Sequence, residues 1–179
     1  MLIRKHIKTP FGQMLMGSTE LGICLFDFEY RRSIDRIVKR IETFSGEVFV
    51  LWEHHHFEKL EQQFSEYCKG TRKIFDLPLH LLGTPFQKSV WEGLSAIPYA
   101  ETRSYKQQAI ALGNEKAVRA VAAANGENGI AIIVPCHRVI GEDGTLTGYG
   151  GGLALKKRLL NHERKQVSAI RQMELFEEL

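Results

Sequence analysis

SYKQQAIALGNEKAVRAVAAAN, residues 104–125, carries the pattern that decides the fold. Ser104 and Gln107 stand three apart as a capping box, which opens a helix through Leu112. Gly113-Asn114 then turns the chain into a helix of small residues, Ala117 to Ala124. Two short helices about a glycine turn form a helix-turn-helix, which offers its second helix to DNA, although any helical domain can use the same turn. Arg119 is the one charged residue between Ala117 and Ala124. Such a helix can bring its backbone close to a grooved surface with one guanidinium projecting, or it can pack on a neighbour and leave Arg119 in water.

Upstream, Thr84-Pro85-Phe86-Gln87 is another helix start, with Thr84 as N-cap, Pro85 at the first helical position and Gln87 completing a capping box. Phe86, Val90, Leu94 and Ile97 give that helix one apolar stripe, ended by Pro98. A domain boundary is placed here, separating residues 1–83 from residues 84–165, with 166–179 as a tail. The first part alternates short strands (His6–Thr9, Gln13–Met16, Gly22–Phe28) with two amphipathic helices. One carries Ile34, Ile37, Val38, Ile41 and Phe44, the other Phe57, Leu60, Phe64 and Tyr67 or Cys68. Ile74–Leu82 reads as a further strand, and no chemical site is recognisable in residues 1–83. The fold class is therefore α/β with two domains: a small N-terminal α/β domain and a mostly helical C-terminal domain built on the helix-turn-helix. In the tail, Val167, Ile170, Met173 and Phe176 are expected to pack on the body.

Downstream of the two helices, Ile130–Val134 reads as a buried strand that stops at Pro135, followed at once by Cys136-His137-Arg138. A cysteine flanked by an imidazole and a guanidinium sits in a setting that favours thiolate, which makes Cys136 a nucleophile candidate. Cys24 and Cys68 read as small buried hydrophobes, and three widely spaced cysteines allow neither a disulfide framework nor a CxxC pair.

Pro135-Cys136-His137-Arg138-Val139 resembles the active-site motif of the O6-alkylguanine-DNA alkyltransferases. The resemblance extends to Ser104-Tyr105, Ala117–Val121, Asn128, Gly148-Tyr149-Gly150-Gly151-Gly152 and Leu159–Glu163, in the family's order and spacing. It implies a ribonuclease H-like N-terminal domain and a DNA repair protein that moves the alkyl group of O6-alkylguanine in duplex DNA onto Cys136. O4-alkylthymine is left open as a second substrate. The transfer is a single irreversible turnover on a base flipped out through the minor groove. The resemblance assigns His137 and Glu163 to activation of the thiol, and Tyr105 and Asn128 to supporting catalytic roles. It places Arg119, Tyr105, Ala117, Ala120, Ala124 and Arg138 on DNA, and Val139, Tyr149, Gly150 and Gly151 around the flipped base. No cofactor is implied, and a monomer is expected.

Two positions depart from some relatives: Gly150 stands where a serine can occur, and Ala131 where a proline can. A glycine at 150 is expected to widen the pocket. Some relatives hold zinc in the N-terminal half. Here the candidates are Cys24 and His54-His55-His56, and because consecutive histidines rarely share a tetrahedral site, no metal is expected. Hydrophobic residues make up 44% and charged residues 25% of the chain, with a mean hydropathy of −0.20. That composition excludes a disordered chain, and no apolar run is long enough to span a bilayer, so a cytoplasmic protein is expected. The excess of basic residues lies in 84–165, compatible with a polyanionic partner. A binding module for alkylated DNA lacks an acceptor cysteine, and a regulator needs a dimerisation or sensing segment. A cysteine hydrolase needs a distant histidine and an acyl pocket. Cys136 in this setting favours the alkyltransferase over all three.

Overall fold

The structure is a computed structural model and describes residues 1–177, with side chains through residue 168. Strands β1 (Ile3–Thr9), β2 (Gly12–Thr19) and β3 (Gly22–Phe28) form an antiparallel meander, and the two-residue strand β4 (Val50–Leu51) adds to β1 in parallel. The sheet order is β3-β2-β1-β4. Helix α1 (Ile34–Ser45) covers one face with Ile37 and Ile41, while Phe44 stays exposed. On α2 (His55–Lys69), Phe57, Leu60, Phe64 and Tyr67 are buried as the spacing requires. Gly70 closes α2 at φ +79, a left-handed conformation that glycine adopts without strain.

Both capping boxes are formed. Thr84 caps α3 (Pro85–Ser95) and Ser104 caps α4 (Tyr105–Ala111), each with its glutamine returning the bond. Helix α3 ends two residues before Ile97. Phe86 lies exposed in its first turn, and Trp91 takes its place in the core, donating Nε1 to the carbonyl of Ala124 at 2.9 Å. A 3-10 turn, Glu115–Ala117, leads into α5 (Val118–Asn125). Gln108 and Asn125 exchange side-chain hydrogen bonds of 2.8 and 3.3 Å in the interior and lock α4 against α5. The last helix, α6 (Leu153–Glu177), runs through residue 165 without a break, so residues 166–177 continue it. The packing expected of Ile170, Met173 and Phe176 falls outside the described side chains.

Two expected strands are not formed, each for its own reason. Residues 74–82 touch β3 through a single bridge, Leu79 to Ile23, because Pro78 cannot donate to a ladder. Residues 130–134 make one bridge to β3, Ile130 to Phe26, and then turn away at Ile132, whose φ of +70 is outside the strand region and brings Val134 back to bridge Ala131. Both segments lie against the free edge of β3, which is buried along its whole length although it ends the sheet. Short strands β5 (Arg103–Ser104) and β6 (Val139–Ile140) pair in parallel and fix the residues after Cys136 against the start of α4.

Candidate active site

Cys136 opens a 3-10 turn, Cys136–Arg138, that follows directly from the kink at Ile132. The kink is held by Asn128. Its Oδ1 accepts from Ile130 N at 3.0 Å, and its Nδ2 donates to Val134 O at 2.8 Å and to Cys136 Sγ at 3.2 Å. A left-handed β-branched residue costs about 1–3 kcal/mol, and these bonds, together with Ala131 N donating to Phe26 O at 2.7 Å, offset it. A proline at 131 would forfeit that last bond, so alanine suits this backbone.

Cys136 lies on the wall of a cavity of about 220 Å³ shared by Tyr105, Ala122, Asn125, Gly126, Gly148, Tyr149 and Gly150. Burial pushes its thiol pKa up, against the opposing pull of the Asn128 bond, Arg31 and Lys156. The expectation that neighbouring His137 and Arg138 would favour thiolate is corrected: both turn inward, and burial prevails. The resting side chain is a thiol.

His137 and Glu163 are fully buried, and Nε2 of His137 lies 2.7 Å from Glu163 Oε1. Glu163 also accepts from Arg138 twice at 3.0 Å, from the Tyr67 hydroxyl at 3.0 Å and from Ala100 N at 2.9 Å. Burial alone would raise its pKa, but the bonds and charges of His137 and Arg138 prevail and hold it at about 2. An ionised Glu163 accepts from Nε2–H, which leaves Nδ1 as the bare nitrogen of His137. Nδ1 is buried and has no protein partner. Burial lowers the His137 pKa, so the imidazole is neutral at pH 7 and able to take a proton.

Several expected contacts are redirected. Arg138 is buried, with its guanidinium on Glu163 and the carbonyl of Ile97, so it is not available to DNA. Ala124 faces the interior beneath Trp91. Val139 is wholly enclosed in the core and does not line the cavity, and neither does Gly151. Arg119 and Ala120 are exposed on α5, Ala117 is half-buried, and Ala122 reaches the cavity. The Tyr105 hydroxyl donates toward the carbonyls of Thr147 and Gly148 at 3.2 and 3.3 Å.

Three residues of the site escaped the sequence reading. Lys156 is buried, donates Nζ to Thr147 O at 2.6 Å and to Gly148 O at 3.1 Å, and has its pKa lowered by burial to about 8. It anchors the glycine loop. Asp27 and Arg31, from the N-terminal part, form a buried ion pair beneath the cavity. Arg31 also donates to the carbonyls of Asn128 at 2.8 Å and Gly126 at 2.5 Å. Burial raises the Asp27 pKa to about 6 against the pull of Arg31, so Asp27 remains ionised at neutral pH. An i,i+4 Asp-Arg pair at the end of a strand was the available signal, although it reads as an ordinary surface pair.

Arg31 also explains Gly150. A Cβ on Gly150 would fall 2.5 Å from Arg31 Cζ, so the glycine makes room for the guanidinium and does not widen the cavity. Gly150→Ser is expected to lower unfolding stability by about 1–3 kcal/mol, measured by urea denaturation. An unchanged midpoint would mean that Arg31 yields freely. Among the described residues one group is placed to hold a metal, His54, His55 and His56, and it lies outside this cavity.

Residues 85–165 match the family model of the 6-O-methylguanine DNA methyltransferase DNA-binding domain. The methylated-DNA–protein-cysteine methyltransferase of Methanosarcina barkeri is 43% identical over 161 residues, covering 90% of this chain and 96% of that protein. The constitutive enzyme of that name from Bacillus subtilis is 43% identical over 168 residues, covering 88% and 92%. The structure of Mycobacterium tuberculosis OGT in complex with DNA superposes with a TM-score of 0.79 at 38% identity, covering 92% of this chain and 94% of that one. No helix among the described residues is long and apolar enough to cross a membrane. With this identity over nearly its whole length, the chain belongs to the methylated-DNA–protein-cysteine methyltransferase family.

Proposed function

We propose that this protein repairs DNA by taking the alkyl group from O6 of guanine in a duplex onto Cys136, once per molecule. The observation that carries the reading is a buried thiol on a cavity wall, beside a neutral histidine whose partner carboxylate is held ionised. The bare Nδ1 of His137 takes the thiol proton through one solvent molecule. The Cys136 Sγ lone pair then attacks the alkyl carbon, and the carbon–O6 bond breaks. Its electron pair returns to the guanine ring, which regains a proton on leaving. The Tyr105 hydroxyl, on the same cavity wall, exchanges its carbonyl partners for the departing base. The product is a thioether, which thiol reductants do not reverse, so turnover stops at one.

A base inside a duplex cannot reach this cavity and must be flipped into it, at a cost of a few kcal/mol. Exposed Arg119 and the small residues around it suit entry from the minor groove, where the helix backbone can approach and the guanidinium can occupy the vacated stack. Gly148, Tyr149 and Gly150, tethered by Lys156, then enclose the base. The protein acts as a monomer. Arg119→Ala is expected to slow transfer from duplex DNA about 10- to 100-fold while leaving transfer from the free O6-alkylguanine base nearly unchanged. Equal losses on both substrates would remove Arg119 from the flipping step.

The experiment that tests the function is intact mass and peptide mapping after mixing the protein with a duplex containing O6-methylguanine. One methyl per chain on Cys136, absent with unmodified duplex, is the expected result. Tight binding without a mass change would reduce the protein to a recognition module.

A further inference from the structure

The N-terminus of α2 gathers three imidazoles that a regular element would spread apart. Successive side chains on a helix point about 100° from one another. His54, however, is extended (φ −138, ψ 141) while His55 begins the helix, and this break folds the first ring back over the next two. Ring centroids lie 4.3 Å apart for His54–His55, 4.0 Å for His55–His56 and 4.7 Å for His54–His56. One ring nitrogen from each lies within 4.8 Å of the others. The spacing argument that set these histidines aside fails at the cap.

The hydrogen bonds around the cluster assign its free nitrogens. The Ser18 hydroxyl has one hydrogen, which points to the carbonyls of Thr19 and Gly22, each 3.0 Å away. Ser18 Oγ therefore accepts from His56 Nδ1–H at 2.8 Å, leaving His56 Nε2 as a bare lone pair. An imidazole held by its far N–H is the arrangement that orients metal-ligating histidines. His54 is more than nine-tenths buried. Its Nε2 has no hydrogen-bond partner and lies 3.6 Å from Glu20 Oε1, on the turn between β2 and β3. Its Nδ1 accepts only a long 3.3 Å bond from His56 N, which a ligating tautomer would give up. His55 is exposed and free to rotate.

We infer that His54, His55 and His56, with the carboxylate of Glu20, form a binding site for a divalent transition-metal ion of the zinc type. The donor set is three imidazole nitrogens and one oxygen, which selects such ions over calcium or magnesium. Tetrahedral zinc with Zn–N bonds of about 2.0–2.1 Å needs nitrogens about 3.3 Å apart, within reach of small rotations of His55 and His56 from the observed spacing. The ion clips the β2–β3 turn to the start of α2. It plays no part in alkyl transfer and acts through stability, because it binds the folded chain and not the unfolded one.

The test titrates chelator-stripped full-length protein with Co²⁺, followed by competition with Zn²⁺. The expected result is one equivalent of Co²⁺ with the intense visible band of tetrahedral coordination, no thiolate charge-transfer band, and a Tm that rises with Zn²⁺. His55→Ala/His56→Ala is expected to weaken binding at least about 100-fold, in line with the loss of two ligands, while retaining normal methyl transfer to Cys136. His80→Ala, which removes the ring bonded to Thr19 at 2.8 Å, is expected to bind as wild type. A thiolate charge-transfer band, unchanged binding by the double variant, or no rise in Tm at about 0.1 mM Zn²⁺ would each overturn the site.

Discussion

Cys136→Ala protein is expected to bind a duplex carrying O6-methylguanine as tightly as wild type and to take no methyl from it, a loss of at least about 10⁴-fold in rate. Binding is expected to be preserved because the face of α5 proposed for DNA is exposed and the sulfur hydrogen-bonds only Asn128 Nδ2 at the cavity wall. The fold is preserved because alanine is a smaller occupant of a wall that already borders a cavity. The reaction disappears because no other nucleophile is available: Cys24 is buried in the N-terminal core, and Cys68 has its pKa pushed up by burial to about 11. Electrophoretic binding and mass spectrometry on the same preparation check both halves. Methyl found on the variant would move the acceptor elsewhere.

Glu163→Gln is expected to lower both stability and rate. Five donors converge on the carboxylate, from His137, Arg138 twice, Tyr67 and the Ala100 amide. An amide would offer one acceptor and turn two N–H groups against them, and it would leave the Arg138 charge buried without a partner. The expected cost is about 3–5 kcal/mol. The rate of transfer should fall about 10²- to 10⁴-fold, since His137 loses the partner that fixes its tautomer.

The same residue sets an acid limb. Its folded pKa, about 2, is below the ordinary value of 4.5. Its contribution is therefore fully present above pH 4.5 and is lost as pH falls toward 2, about 3 kcal/mol in all. Urea denaturation across that window should show the slope in wild type and a flatter curve in the variant. Tyr67→Phe removes one donor, should cost about 1 kcal/mol, and keeps the test informative if the glutamine variant does not fold. Parallel acid limbs in wild type and variant would show that Glu163 is not the titrating group.

The helix starts were legible because they rest on local chemistry: the capping boxes at Thr84 and Ser104 declare themselves within four residues. The family resemblance, and not spacing, paired Cys136 and His137 with Glu163, which lies 26 residues beyond His137. What was not legible depends on long-range packing. The resemblance placed Arg138 and Ala124 on DNA, yet they turn inward, Arg138 onto Glu163 and Ala124 beneath Trp91. The strands expected at 74–82 and 130–134 have the right composition, but each meets β3 at one bridge only. Asp27 and Arg31 enter the site from nearly a hundred residues away, and no periodicity within residues 1–83 announces it.

The burial of β3 has a consequence for biogenesis. Leu79 can cover the edge at Ile23 early, but Phe26 meets its partner only when Ile130 has been synthesised, so about a hundred residues must be made before the rest of that edge is covered. Until then a nascent chain carries an open strand edge of high β-propensity, the kind of surface that pairs with other chains. The closing contact, Ala131 N on Phe26 O, also joins the Asn128 bonds in holding the Ile132 kink and so the Cys136 turn. A chain that has hidden its sticky edge has, by the same act, armed its nucleophile, and one arrested earlier is both inert and aggregation-prone.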